Sequence, residues 1–312
     1  MSSSSTVPMG DGVSISTSNN PAPSSKSFAL HQRSNNVNSA SMGSVKQNNN
    51  YYNSQNTIRN NINSITVSQY LSRLTDISQM DVQSAFDQMK SLLNPTQIQR
   101  VYKLSYYRKQ TKGHYARDDP AFVTIQLCFL ILSSVAYSIA FNGDSFWSTL
   151  LVFLFHSVII NYTLVGVVAA TIGQSIANQH LINTNNHNNN GTMSPSMSEP
   201  VEWMYAFDIH CNAFFPFFTI VYIIQYFILP IVLSNSFFAF FASNTLYSMA
   251  FGYYFYVTHL GYRNLTHLKN TEVFLVPIVF VVFIFVLNLI GYPFGLGWNA
   301  SRIMAHLYFE SQ

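Results

Sequence analysis

Polar and ionisable residues that interrupt the apolar half of the chain are the ones whose types and spacing could do chemistry. Tyr205, Asp208 and Asn212 follow at three- and four-residue spacing, so on a helix they share one face. His210 lies on nearly the opposite face of that helix. Ionisable side chains are costly inside a bilayer, so these residues are candidates for ligand or ion binding. Polar packing between helices is the alternative interpretation.

Two further histidines, His156 and His259, also lie in apolar segments. A metal site would need several His, Asp or Glu side chains at ligand spacing, such as two His one helical turn apart. The sequence shows no such spacing, no nucleophile elbow and no phosphate-binding loop, so we predict no metal, cofactor or catalytic residue and do not expect an enzyme.

The composition indicates a membrane protein with a polar front. Only 9% of the residues are charged and 48% are hydrophobic, whereas a soluble domain carries roughly 25% charged residues. Residues 1–65 are dominated by Ser and Asn, with too few apolar side chains to offset the entropy of ordering. We therefore expect a disordered tail over 1–65.

Long intervals without Asp, Glu, Lys or Arg follow Asp119, and a helix needs about 20 apolar residues to cross the hydrocarbon. Backbone groups in lipid must be satisfied within each segment, which favours helices. The sequence therefore predicts an all-α integral membrane protein with a five-span domain over 120–301. The five transmembrane helices are expected at about 121–142, 147–171, 209–233, 237–260 and 273–293.

The segment 66–119 is expected to form amphipathic, interfacial helices, because its apolar residues recur at three- and four-residue spacing. Six cations crowd the stretch before the first span, from Arg100 to Arg117, and favour contact with an anionic lipid surface. By the positive-inside rule they also place the amino terminus in the cytosol. The Asn-rich loop 178–200 is then cytosolic, and the short tail 302–312 is lumenal.

Two blocks of sequence carry a family resemblance. The first runs from Tyr106 to Lys112 and continues at Ala116–Phe122, and the second runs from Val201 to Pro216. Together they closely resemble the Unc-fifty family of Golgi multi-pass membrane proteins. The resemblance covers roughly 76–305, and both the front 65 residues and the Asn-rich insert depart from it.

That resemblance implies a five-span protein of the Golgi membrane that acts in trafficking, with the endoplasmic reticulum and inner nuclear membrane as further locations. Animal members are associated with assembly and surface delivery of receptors, and fungal members with large guanine-nucleotide exchange factors for Arf GTPases. A mammalian member is associated with RNA binding. The implied partners are therefore the lipid bilayer, Arf exchange factors, client membrane proteins and, by resemblance only, RNA.

We expect the two blocks to meet on the cytosolic side, where Arg117, Asp118, Glu202 and Asp208 would form a partner-binding surface or a structural polar network. Asp119 and Pro120 are expected to begin the first span as its cap and first turn. The full set of candidate residues is Arg108, Lys109, Arg117, Asp118, Asp119, Glu202, Trp203, Tyr205, Asp208, His210 and Asn212.

The leading interpretation is a non-enzymatic trafficking adaptor or assembly factor. A small transporter or channel is the first alternative, and it predicts a water-accessible cavity that joins His156, Asp208 and His259. An intramembrane enzyme is a second alternative without a nameable catalytic set. An RNA-associated membrane protein is a third, and it would have to use the basic segment 100–117 or the disordered front.

Overall fold

The computed structural model describes residues 80–141, 146–182 and 200–310. These residues fold as helices, with one isolated antiparallel bridge between Ile182 and Leu268. The predicted tail 1–65, the start of the predicted 66–119 segment and most of the predicted Asn-rich loop lie outside the described residues.

The helices are, in chain order, α1 Val82–Leu93, α2 Ile98–Lys112, α3 Ala121–Ala140, α4 Phe146–Leu181, α5 Trp203–Phe227, α6 Leu229–Val232, α7 Phe237–Arg263, α8 Thr271–Phe294 and α9 Ala300–Ala305. Both α4 and α5 contain π-helical turns, at Phe155–Leu164 and Thr219–Ile224.

Within the described residues, α3, α4, α5 and α8 are long and apolar enough to cross a membrane. They correspond to the predicted first, second, third and fifth spans. The predicted fourth span, 237–260, corresponds to α7, which has 27 residues but does not belong to this group. Polar side chains such as Ser243 and Asn244 reduce the hydropathy of α7.

The third span begins earlier than predicted, at Trp203 instead of residue 209, because Asp208 is buried inside the helix and does not end it. It also ends earlier, where Ile228 leaves helical geometry and Pro230 begins the short α6. The second span continues to Leu181 instead of residue 171. Its last turns carry Asn178, whose side chain bonds both backbone groups of Val201.

Helix α5 is the centre of the bundle, and twelve of the sixteen residues of Trp203–Phe218 are buried. Helix α7 runs antiparallel to α8 along its length. At one end the rings of Phe240 and Tyr292 lie 4.4 Å apart, and at the other end those of Tyr262 and Phe274 lie 4.0 Å apart. Most of the side chains of α8 are exposed apolar groups, as expected for a surface in contact with lipid acyl chains.

Close helix packing in the bundle depends on glycine. A Cβ atom at Gly166 of α4 would lie 2.6 Å from the ring of His210 on α5. A Cβ atom at Gly261 of α7 would lie 2.8 Å from Ile209 of α5. Small residues let backbones approach closely where no hydrophobic effect drives association between helices.

Helices α1 and α2 lie at the end of the bundle where α5 begins and α7 ends. Asp81 caps α1 by accepting a hydrogen bond from Ser84 N at 3.0 Å. α2 ends at Gly113, which has φ +81° and donates its N–H to the carbonyl of Lys109. The buried side of α2 has helical spacing: Ile98, Val101, Tyr102 and Ser105.

At the opposite end of the bundle, the predicted tail 302–312 is helical through Glu310 and packs against the bundle. The rings of Phe309 and Phe141 lie 4.1 Å apart, and Arg302 donates a 3.0 Å hydrogen bond to the carbonyl of Leu233. Tyr308 and Phe309 of this segment also pack against the hydrophobic core.

Candidate functional site

The two sequence blocks meet at an ion pair between Arg117 and Asp208. The backbone N–H of Arg117 donates to Asp208 Oδ2 at 2.8 Å, and its Nε lies 3.8 Å from the same oxygen. Nη2 donates to the side-chain oxygen of Asn212, and the guanidinium lies 4.0 Å above the centre of the Phe122 ring. Arg117 and Asp208 are 6% and 7% exposed, so the ion pair is almost entirely buried.

Glu202, just before α5, holds the same loop at a second point. Both of its carboxylate oxygens lie 3.2 Å from the backbone N of Tyr115, which donates to them. Lys109 Nζ is 3.8 Å from Glu202 and lies over the Tyr115 ring. Burial raises the pKa of the Glu202 carboxyl, and Lys109 together with the backbone N–H groups opposes this.

Asp118 and Asp119 make their own contacts beside the Arg117–Asp208 pair. Asp118 accepts from Lys112 Nζ at 2.5 Å and lies 3.2 Å from His114 Nε2. Asp119 accepts from the backbone N–H groups of Asp81 and Ala121, each at 2.9 Å. Asp119 therefore joins the start of α1 to the start of α3. The predicted network of Arg117, Asp118, Glu202 and Asp208 stays a prediction as far as Asp118 is concerned.

Arg108 fixes the loop from the α2 side. Its Nη2 donates to Ser105 Oγ at 2.7 Å, and both Nη2 and Nε donate to the carbonyl of Tyr115. Burial lowers the pKa of the Arg108 guanidinium, and the nearby carboxylate of Asp208 opposes that shift. Tyr115 is thus held through its N–H by Glu202 and through its C=O by Arg108.

The remaining candidates on α5 contact other helices. Tyr205 donates its hydroxyl to the carbonyl of Gly261 at 2.9 Å. Trp203 Nε1 donates to Thr171 Oγ1 at 3.1 Å. Since each bond fixes α5 to a neighbouring helix, these residues are positioned as polar contacts within the bundle.

His210 points away from the Arg117–Asp208 pair. Its Nδ1 lies 2.8 Å from the Tyr254 hydroxyl, and its Nε2 lies 3.1 Å from the carbonyl of Tyr162. Within the described part of the chain, no group of three or more His, Cys, Asp or Glu side chains is placed to hold a metal ion.

Sequence reasoning missed several residues that hold these helices together. Tyr162 donates its hydroxyl to Gln126 Oε1 at 2.9 Å, and Gln126 Nε2 donates to the carbonyl of Cys211. Tyr102 donates its hydroxyl to the carbonyl of Val257 at 3.0 Å. A glutamine inside the first predicted span could have indicated the first of these contacts, because an unpaired amide in lipid is costly.

Comparison of the sequence with known proteins identifies the family of the chain. The model of the UNC-50 family matches residues 70–309. The chain belongs to the UNC-50 family. It is similar to the protein unc-50 homolog of Dictyostelium discoideum, with 41% identity over 79% of this chain and 88% of the relative.

Two further relatives are matched over nearly their whole length. The protein unc-50 homolog of Homo sapiens is 36% identical over 86% of this chain and 97% of the relative. The protein GMH1 homolog of Schizosaccharomyces pombe is 34% identical over 76% of this chain and 94% of the relative. No solved structure matches the chain.

The region matched by the UNC-50 family model includes α1 to α9 and the contacts that join Arg117 to Asp208 and Tyr115 to Glu202. A cavity of about 680 Å³ also lies within it, among α4, α5, α7, α8 and the C-terminal segment that begins with α9. Apolar and aromatic side chains form most of its wall, with His210 and Asn161 among the polar groups.

The three residues that the transporter hypothesis joins do not line this cavity. Nδ1 of His156 lies 2.8 Å from the carbonyl of Val152, and Nδ1 of His259 lies 2.9 Å from the carbonyl of Thr271. Asp208 is paired with Arg117. Each side chain is therefore engaged at a separate place in the bundle.

Proposed function

We propose that this UNC-50 family protein is a non-enzymatic trafficking adaptor of the Golgi membrane, and that it recruits a cytosolic partner through α2. The observation that supports this proposal is the contact between the two family blocks. The backbone N–H of Arg117 donates to Asp208, and that of Tyr115 donates to Glu202. Buried contacts of this kind fix the loop after α2 in one position, and a fixed helix can present a preorganised surface.

The surface that α2 presents is its outer face, defined as Arg100, Lys103, Leu104 and Tyr107. These residues recur at three- and four-residue spacing, and all are exposed, with Tyr107 at 61%. The opposite side of α2 is fixed to α7, where Asn264 Nδ2 donates to the carbonyl of Tyr102 at 2.8 Å. Two cations beside an aromatic side chain favour a partner that presents acidic and apolar groups.

We infer five membrane crossings, with α7 as the fourth. At 27 residues, α7 is about 40 Å long, which exceeds a hydrocarbon core of about 30 Å. The two ends of α7 contact the two ends of α8. If α8 crosses the membrane, α7 therefore crosses the same thickness of membrane. No Asp, Glu, Lys or Arg lies between Phe237 and Tyr262.

The proposed orientation has the α1–α2 end in the cytosol. Arg100, Lys103, Lys112 and Arg263 lie toward this end, whereas Arg302 lies at the other end of the bundle. The positive-inside rule then assigns the cation-rich end to the cytosol. Golgi residence is supported by the family resemblance.

The proposed partner is an exchange factor for Arf GTPases, with assembly of client membrane proteins as a related role supported by the same resemblance. Affinity capture with the full chain from solubilised endomembranes, scored for Arf exchange factors, tests this proposal. Capture that is unaffected by changes in the outer face of α2 would contradict it.

The transporter alternative keeps one supporting observation, the cavity of about 680 Å³ inside the bundle. Its wall is mostly apolar, which favours contact with lipid over passage of a polar solute. Solute flux into liposomes that contain the full chain, together with the absence of a captured exchange factor, would favour the transporter.

A further inference from the structure

The cavity of about 680 Å³ inside the bundle is long. Helix α5 forms its back wall, and α4 and α7, which both pack on α5, form its two sides. Its lining residues run from Asn161 to Ile176 on α4 and from Tyr247 to Tyr262 on α7, and each stretch of helix is about 22 Å long. We propose that this cavity binds one sterol molecule. The inference goes beyond recruitment of a partner and uses no residue of the outer face of α2.

The wall of the cavity is apolar, aromatic and uncharged. Among the described residues, no Asp, Glu, Lys or Arg lines it. Three helices contribute aromatic rings to the wall: Phe214, Phe217, Phe251, Tyr254, Phe255 and Phe274. Flat aromatic rings offer a large apolar contact area to a rigid fused-ring hydrocarbon. A charged headgroup would find no counter-ion inside the cavity, which excludes the phosphate group of a phospholipid from it.

The volume of the cavity matches a single sterol. At the about 30 Å³ that a water molecule occupies in the liquid, it holds on the order of two dozen non-hydrogen atoms. One sterol has this size, whereas a two-chain phospholipid is about twice as large. A transmembrane helix of a client protein, about 10 Å in diameter, would need roughly 1,700 Å³ over the same length. The cavity is therefore too small for a helix.

One side of the cavity is open along α4. Val165, Val168 and Ile172 recur at three- and four-residue spacing and line the cavity. They are 43%, 47% and 54% exposed, so no other helix covers them. Since α4 is a candidate membrane span, this side faces the lipid, and a sterol can enter it directly from the bilayer.

A group of neutral polar side chains lies where the lining stretch of α4 begins. This Asn161 cluster consists of Asn161, Tyr222 and Tyr308. Nδ2 of Asn161 donates to the hydroxyls of Tyr222 at 3.1 Å and Tyr308 at 3.4 Å. Within the described residues, Asn161 Oδ1 has no donor and neither hydroxyl proton has an acceptor. A ligand hydroxyl can therefore donate to Oδ1 and accept from a tyrosine.

The Asn161 cluster lies near the middle of the membrane. Ser157 on α4 and Ser134 on α3 mark one level, since their hydroxyl oxygens are 3.1 Å apart. Ser134 is about 20 Å from the start of α3, and Asn161 is one helical turn nearer to that end. In a hydrocarbon core about 30 Å thick, this position is close to the midplane. The tail of a phospholipid offers no hydrogen bond there, whereas a sterol hydroxyl satisfies the cluster.

The test uses the full chain in phosphatidylcholine nanodiscs with a photoreactive cholesterol analogue that keeps its hydroxyl group. Labelled peptides are located by mass spectrometry. Cholesterol, or cholestane, which lacks the hydroxyl, is added as a competitor. A photoreactive phosphatidylcholine in a parallel sample reports an acyl chain in the cavity.

Two double variants of α4 form a matched pair. Val165→Phe with Val168→Phe introduces two rings at the cavity wall. Leu164→Phe with Val167→Phe is the control, because these two residues are exposed on the same helix and do not line the cavity. Tyr308→Phe is a third variant, which removes one hydroxyl of the Asn161 cluster and keeps the ring.

We expect labelling of the α4 and α7 peptides that line the cavity, and cholesterol should compete roughly tenfold better than cholestane. Labelling should fall at least about fivefold in the Val165 and Val168 double variant and stay unchanged in its control. Tyr308→Phe should reduce the preference for cholesterol to about twofold, because one hydrogen bond to the ligand is lost.

Labelling outside the cavity, or equal labelling of the two double variants, overturns the proposal. Labelling of the cavity by the phosphatidylcholine probe that cholesterol does not displace also overturns it, since an acyl chain is then the occupant. If the cavity-filling variant does not fold, the competition in Tyr308→Phe decides, and an unchanged preference for cholesterol over cholestane contradicts the proposed site.

Discussion

Arg117 and Asp208 are joined twice, once through the backbone N–H of Arg117 at 2.8 Å and once through its guanidinium. The loop before the first span and the central helix of the bundle are therefore held together at one carboxylate. Since both residues are buried, this pair can position the surface of α2 but cannot itself contact a large partner.

Replacement of Asp208 by Asn should destabilise the protein strongly, because it leaves the buried Arg117 charge without compensation. The expected loss in the free energy of unfolding is about 3–5 kcal/mol. Denaturant or thermal unfolding in detergent measures it. The control is Asp87→Asn, since Asp87 is exposed on α1. Equal stability of the two variants would show that the pair does not hold the loop.

Gly166→Ala should loosen the contact between α4 and α5, because the new Cβ would lie 2.6 Å from the His210 ring. Overpacking of this kind costs about 1–3 kcal/mol. Gly252→Ala is the matched control in α7, since nothing lies within 4 Å of a Cβ there. That change should stabilise by about 0.5–1 kcal/mol through helix propensity. Similar melting temperatures would contradict this packing.

Glu202 should make stability depend on pH. Burial raises the pKa of Glu202 above its ordinary 4.5, so between 4.5 and the folded pKa the folded chain retains a proton that the unfolded chain loses. This contribution to stability is present below pH 4.5 and disappears as the pH rises through the folded pKa. The wild type should therefore lose stability relative to Glu202→Gln as the pH rises. A constant difference in melting temperature would exclude this linkage.

Five crossings place the segment before α3 and the segment after α8 on opposite sides of the membrane, whereas four crossings would place them on the same side. A glycosylation acceptor added after Gln312 should therefore carry a glycan, while Asn190 should not. Gel mobility before and after glycosidase treatment reads both sites. A glycan on Asn190, or none on the added acceptor, would contradict the proposed topology.

Much of the helical arrangement follows from the positions of charges along the chain. The gap between the predicted helices 209–233 and 237–260 contains Ser236, which caps α7 by accepting from Ala239 N at 3.1 Å. The start of α5 could not be predicted in this way. In the sequence Asp208 interrupts an apolar run, but in the structure it is paired with Arg117 and lies inside the helix. That pairing depends on a contact between residues far apart in sequence.

The site was predictable as a set of residues but not as a geometry. Tyr115 is central because its backbone N–H and C=O are both bonded by side chains, Glu202 and Arg108. Almost every residue type carries the same backbone N–H and C=O groups, so the spacing of residue types could not identify Tyr115 as the residue that Glu202 and Arg108 hold. The ion pairs of Asp118 with Lys112 and His114, both near it along the chain, were not anticipated either.

The central claim, that the outer face of α2 recruits an Arf exchange factor, is tested most directly by quantitative affinity capture. Wild type is compared with the double variant Lys103→Glu and Tyr107→Ser, which removes a cation and the most exposed aromatic group of that face. Lys90→Glu is the control, because Lys90 is exposed on α1 outside that face. We predict that capture falls at least tenfold in the double variant and is unchanged in the control, with equal protein levels. Equal capture by all three chains would contradict the claim.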